Sequence, residues 1–168
     1  LGMSAAWFSE IEPFPCELLK ARFPSVVNYG DIVKLPEIMR AGLIEAPDIL
    51  IGGTPCQAFS VAGKRKGLND ERGQLSLAYV DLLNAIDEQR LENGKKEAVS
   101  IWENVPGVLS DTENAFGCFL AELAGDDQPI KPPENLRKYN RKHKSGRNVP
   151  KWSKCGVVYG PRRTIAWR

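Results

Sequence analysis

At 168 residues, with 42% hydrophobic and 26% charged positions, the chain has enough apolar matter for a core and does not have the make-up of a disordered polymer. Its formal net charge is only +2, so overall charge does not single out nucleic acid or any acidic partner. Four scattered cysteines with no Cys-x-x-Cys pair, and the single histidine His143, argue against a disulfide framework and leave a zinc site almost no ligands.

No signal peptide is visible, and no apolar run approaches the roughly 20 residues of a membrane span. A cytoplasmic protein without membrane contact is the expectation. Leu1 opens without a methionine and Arg168 follows directly on a strand-like run, so both ends read as cuts.

Ala6-Trp7-Phe8-Ser9 is short and apolar and predicts a strand. The acidic turn Glu10-Ile11-Glu12 follows, then a helix over Pro13–Arg22 with proline in its first turn. Glu10, at the end of a strand, either accepts hydrogen bonds from ribose hydroxyls or caps the helix that follows. Ser25-Val26-Val27-Asn28-Tyr29 reads as a brief extended segment, and a short helix is expected over Leu35–Arg40. Asp31 between them is either an acceptor for an adenine amino group or an ordinary turn residue beside Gly30.

After a linker over 41–48, Ile49-Leu50-Ile51 predicts a buried parallel strand stopped by Gly52-Gly53, with Thr54-Pro55-Cys56 presented at its carboxyl end. In an open α/β sheet that end is where ligands bind. Residues 61–73 are glycine-punctuated and basic and read as a long functional loop. Its Lys64, Arg65 and Lys66 either meet phosphates or form a solvated charged surface.

Apolar positions Leu75, Ala78, Leu82, Leu83 and Ile86 predict an amphipathic helix over 74–92. Residues 98–102 predict a second buried strand, ending in Glu103-Asn104, and 113–124 a further helix. Lys131, Arg137, Lys138, Arg141, Lys142, Lys144, Arg147, Lys151 and Lys154 then crowd a stretch whose single acid is Glu134. We read 125–154 as an inserted basic loop whose Tyr139 and Trp152 allow nucleic-acid contact. Two extended runs around Gly160-Pro161 close the chain. The alternation of strand and helix predicts an α/β fold, a parallel sheet with helices on both faces.

Two strand ends carry reactive groups. A cysteine attacks as its thiolate, and a carboxyl nearby can hold a proton on the electrophile. Together they suit addition to an electron-poor double bond of a heterocycle. The run Gly52-Gly53-Thr54-Pro55-Cys56-Gln57-Ala58-Phe59-Ser60 and the later Glu103-Asn104-Val105 resemble the two signature motifs of the DNA cytosine-5 methyltransferases. Arg72-Gly73-Gln74-Leu75 resembles the family's Arg-Gly-x-Leu segment, and Phe8-Ser9-Glu10-Ile11-Glu12 and Gly30-Asp31-Ile32 its cofactor-side motifs.

The resemblance implies a Rossmann-like sheet that binds S-adenosyl-L-methionine, truncated at both ends, with double-stranded DNA as partner. It implies that Cys56 attacks C6 of a flipped-out cytosine while Glu103 contacts N3 and the exocyclic amine. Gln57 and Asn104 would order the two loops, and Pro55 and Leu75 would wall the cofactor. Glu10 would hold its ribose, and Ile11, Asp31 and Ile32 would enclose its adenine. Lys64, Arg65 and Arg72 would lie in the loop that closes over DNA, and no metal is implied.

The family's first glycine-rich motif would precede Leu1. Its later arginine-rich motif, its target-recognition domain and its last cofactor segment would lie beyond Arg168. The expectation is therefore part of a catalytic domain, inactive alone. Such systems admit a cognate restriction endonuclease as companion. A transfer-RNA cytosine-5 methyltransferase, or a DNA-binding remnant without turnover, are the alternatives.

Overall fold

The structure is a computed structural model and describes residues 2–54, 71–110, 114–132, 152 and 155–167. Its contacts divide into two compact units, one of residues 1–52 and 78–101 and the other of 53–77 and 102–168.

In the first unit, α1 (Pro13–Arg22) begins on proline and ends on the basic residues Lys20 and Arg22, which complement the helix dipole. The strand expected ahead of it shrinks to one parallel bridge between Phe8 and Asn28. Phe8 N–H donates to Val27 O (2.9 Å) and Tyr29 N–H to Phe8 O (2.8 Å). Beyond that pair, side chains replace the ladder, with Ser9 Oγ donating to Gly30 O (2.7 Å) and Asn28 taking hold of Glu10. A 3-10 turn, Ile32–Lys34, leads into α2 (Leu35–Arg40), as expected from the sequence.

Strand β1 (Ile49–Gly53) and strand β2 (Val99–Glu103) pair in a two-stranded sheet, with helix α3 (Glu71–Glu92) between them in the chain. Asp48 O accepts from Val99 N–H (3.0 Å) at their beginnings. At their ends a Cβ added to Gly53 would lie 3.1 Å from Glu103 O. Start meets start and end meets end, so the two strands run parallel.

The part of α3 in this unit buries Leu82, Leu83 and Ile86, and Leu35 and Met39 of α2 are equally without exposure. Its buried polar residues hold the approaches to both strands. Asp87 Oδ1 accepts from Ala98 N–H (2.8 Å) just before β2. The Arg90 guanidinium donates to Pro47 O (3.1 Å), Asp48 Oδ1 (2.7 Å) and Lys96 O (2.7 Å). Leu50 is buried, whereas Ile51, Val99 and Ile101 are exposed. Among the described residues, then, the parallel pair is present and a second helical layer over that face is not.

In the second unit, α4 (Ala115–Ala124) packs on an antiparallel hairpin of β3 (Gly156–Tyr159) and β4 (Thr164–Trp167), paired Gly156 to Trp167 and Tyr159 to Thr164. These are the two extended runs expected around Gly160-Pro161. Gly156 is required where it stands, because any side chain there would run into the Trp167 ring.

The core of this unit is aromatic. Trp102 lies 4.3 Å from Phe119, and Phe116 meets Trp152 (5.2 Å) and Trp167 (5.5 Å) edge-on, centroid to centroid. Trp152 is only 3% exposed, so its ring does not offer the nucleic-acid contact that the sequence allowed. It sits in a basic stretch but spends its ring on the core. Most of that stretch, 133–151 and 153–154, lies outside the described residues, as does Tyr139.

Candidate active site

Thr54, directly after β1, is buried at 8% exposure and gathers three hydrogen bonds within the second unit. Ser76 Oγ of α3 and Trp102 Nε1 of β2 both donate to its Oγ1 (3.1 Å each), and Asn104 Nδ2 donates to its carbonyl (2.6 Å). Asn104 Oδ1 accepts in turn from Val105 N–H (2.9 Å), which fixes the amide's orientation. A hydroxyl and a carbonyl that leave a strand just before proline have no ladder to join, and these side chains satisfy them.

Glu103 is exposed at the end of β2. A Cβ on Gly53 would lie 3.1 Å from Glu103 O and 3.3 Å from Glu103 Oε2, tighter than an ordinary contact. Glycine at 53 therefore lets the carboxylate lie across the end of β1. Gly53-Thr54 and Glu103-Asn104, expected on separate strand ends, are thus held side by side. Leu75 is half-buried on α3. Pro55, Cys56, Gln57, Lys64 and Arg65 lie outside the described residues, and of Arg72 only the backbone, in α3, is described.

A second cluster belongs to the first unit. Glu10 Oε1 accepts from Ile11 N–H and Glu12 N–H (2.8 Å each), so this carboxylate ties the turn ahead of α1 and reaches no N–H of the helix itself. That turn-holding role and the ribose role are compatible, because these bonds use one oxygen and leave Oε2 without a partner among the described residues. Asp31 Oδ1 likewise accepts from Val33 N–H (3.0 Å) and caps the 3-10 turn. Ile11 is 65% exposed and Ile32 half-buried. Two carboxylates, each with an oxygen free to accept, and two apolar side chains suit a nucleoside whose ribose hydroxyls and adenine amino group donate.

Thr54, Ser76, Trp102 and Asn28 were not singled out by sequence reasoning as site residues. Thr54 and Trp102 border the reactive motifs and could have been found on that ground. Ser76 and Asn28 carry no local signal, since their partners are distant in the chain.

The family model of C-5 cytosine-specific DNA methylases matches residues 1–126. A protein of Escherichia phage P1 named DNA N-6-adenine-methyltransferase is 56% identical over 174 aligned residues, covering all of this chain and 23% of that protein. The type II methyltransferase M.NlaIV of Neisseria lactamica is 43% identical over 102 residues, 61% of this chain and 21% of its own length. The type II methyltransferase M.AquIA of Picosynechococcus sp. is 32% identical over 154 residues, 83% of this chain and 56% of its own. The chain thus spans less than a quarter of the first two relatives and little more than half of the third.

Proposed function

The chain belongs to the C-5 cytosine-specific DNA methylase family, and on that premise we propose that it carries the chemical centre of an enzyme that methylates C5 of cytosine in double-stranded DNA. The observation that carries the proposal is the joining of two strand ends. Gly53 makes room for the Glu103 carboxylate, and Asn104 and Trp102 bind Thr54, two residues before Cys56.

In the proposed reaction the Cys56 thiolate adds to C6 of an extruded cytosine, and the electron pair of the C5–C6 bond moves toward C5. Glu103, hydrogen-bonded at N3 and the exocyclic amine, stabilises the charge that the ring gathers. S-adenosyl-L-methionine, when bound, supplies the methyl group. Transfer of the C5 proton to water then restores the double bond and expels the thiolate, with S-adenosylhomocysteine as the other product. Gln57 orders the cysteine loop, Pro55 and Leu75 border the cofactor, and Lys64, Arg65 and Arg72 face the phosphates. Glu10 takes the ribose, and Ile11, Asp31 and Ile32 take the adenine. The parallel β1–α3–β2 arrangement supports a Rossmann-like sheet as the frame.

The phage relative's name favours a second reading, transfer to N6 of adenine. That reaction needs no thiol adduct, and it leaves the Pro55-Cys56-Gln57 and Glu103-Asn104-Val105 runs without a task. Digestion of duplex DNA to nucleosides after reaction with methyl-labelled cofactor separates the readings. The label is expected in 5-methylcytosine. Label confined to N6-methyladenine, or to transfer RNA in a parallel reaction, would overturn the proposal.

A further inference from the structure

Asn28 is exposed, yet its carboxamide is more fully engaged than surface asparagines need be. Its Oδ1 accepts from Glu10 N–H (3.0 Å) and Gly30 N–H (3.2 Å). Its Nδ2 donates to Glu10 O (2.9 Å) and to Cys16 Sγ (3.3 Å). Two donors meet the oxygen and two acceptors meet the nitrogen, so a flipped amide would set donor against donor and the orientation is fixed.

One side chain thus grips both backbone groups of Glu10 and the N–H of Gly30, the residue before Asp31. Gly30 sits at φ +75°, a turn conformation that places Asp31 next in line. The backbone pairing ends at the Phe8–Asn28 bridge, and among the described residues the Glu10 backbone is held beyond it by Asn28 and by the Cys16 thiol, which donates to Glu10 O (3.2 Å).

We propose that Asn28 is a positioning residue for the cofactor, fixing the Glu10 turn relative to the Gly30-Asp31 turn so that ribose and adenine are met together. The inference rests on the reading of Glu10 as the ribose acid. Asn28 touches no ligand itself and acts through the Glu10 backbone. Its replacement should therefore cost binding mainly where ribose hydroxyls are present, which a general loss of structure would not do.

The test is calorimetry on the intact protein with two probes, S-adenosylhomocysteine and its analogue lacking both ribose hydroxyls. In Asn28→Ala the affinity for S-adenosylhomocysteine should fall about tenfold, while that for the analogue changes by no more than about twofold. Asn28→Asp preserves shape and one acceptor oxygen but turns a second oxygen toward Glu10 O, and it should show the same selective loss should the alanine variant fold poorly. Equal losses on both probes, or none on either, would overturn the inference. Glu10→Gln separates it from the reading beneath it. If Glu10→Gln removes the ribose preference and the Asn28 variants keep it, the inference fails alone. If Glu10→Gln keeps that preference, the ribose reading fails and takes the inference with it.

Discussion

Gly53 and Thr54 bring the two reactive strand ends into one place, and each does so by a different physical means. Gly53 works by absence, since a methyl group there would press on the Glu103 carbonyl and Oε2 at 3.1 and 3.3 Å. Gly53→Ala is expected to displace Glu103 and slow methyl transfer by about tenfold or more, with the melting temperature nearly unchanged, because both groups lie at an exposed strand end. A rate equal to wild type would show that the carboxylate does not depend on that space. Thr54 works by satisfaction, its hydroxyl accepting from Ser76 Oγ and Trp102 Nε1 and its carbonyl from Asn104 Nδ2. Away from those strand ends, the Tyr79 hydroxyl lies 2.8 Å from Ser100 Oγ and 3.3 Å from Ile101 O, within hydrogen-bond reach of both. Burial raises its pKa above the ordinary 10.0, only partly offset by the bond to Ser100. The unfolded chain then loses the phenol proton first, so this contribution to stability is complete below about pH 10 and is lost as pH rises through the folded value. Denaturant titrations should show wild type losing stability more steeply than Tyr79→Phe above that pH. Parallel curves would contradict the assignment.

At the scale of elements, α3 carries two tasks on one helix. Its last turns place Asp87 and Arg90 against the approaches to β2 and β1, while Ser76 near its start donates to Thr54. Arg90 is buried and donates to two carbonyls and one carboxylate; Asp48 itself stays open to water, so what removing Arg90 costs is the buried stem and the ties that hold the Pro47 and Lys96 backbone. Arg90→Met is expected to destabilise the protein by about 1–2 kcal/mol in urea titration. By contrast Arg40, whose bonds to Asp81 and Glu88 hold its charge but lie 40% open to water, should cost under about 1 kcal/mol as Arg40→Ala. A loss at Arg90 no larger than that at Arg40 would mean the strand approaches are held by other groups. Helices α1 and α2 and the core of α3 were legible because proline starts and a 3.6-residue apolar period are local signals. The strand around Phe8 was overestimated, because three apolar letters followed by a serine do not reveal that Asn28 and Ser9 side chains take over the pairing. Thr54 as a meeting point was legible only from its place before Pro55-Cys56; its partners at 76, 102 and 104 come from folding.

For the molecule as a whole, the motifs spoke to chemistry more clearly than the pattern spoke to architecture. Glu103 was picked out by its place at a strand end and, with Asn104, by the family resemblance, and the structure brings both to Gly53-Thr54. The aromatic core was not anticipated, because Trp152 lies among lysines and arginines and nothing local says that it meets Phe116 and Trp167. Among the described residues no helix is long and apolar enough to cross a membrane. Family membership rests on residues 1–126, and the proposed activity rests on Cys56 and Glu103 acting on one base. The most direct test is a covalent trap on the intact protein, using duplex DNA with 5-fluorocytosine at the target position and S-adenosyl-L-methionine. Fluorine at C5 cannot leave as a proton, so the thiolate stays bonded to C6. A denaturant-stable complex is predicted, with the cross-link mapped to Cys56 by mass spectrometry and abolished in Cys56→Ser. A complex that survives Cys56→Ser, or methyl transfer to cytosine with no trapped complex, would contradict the account.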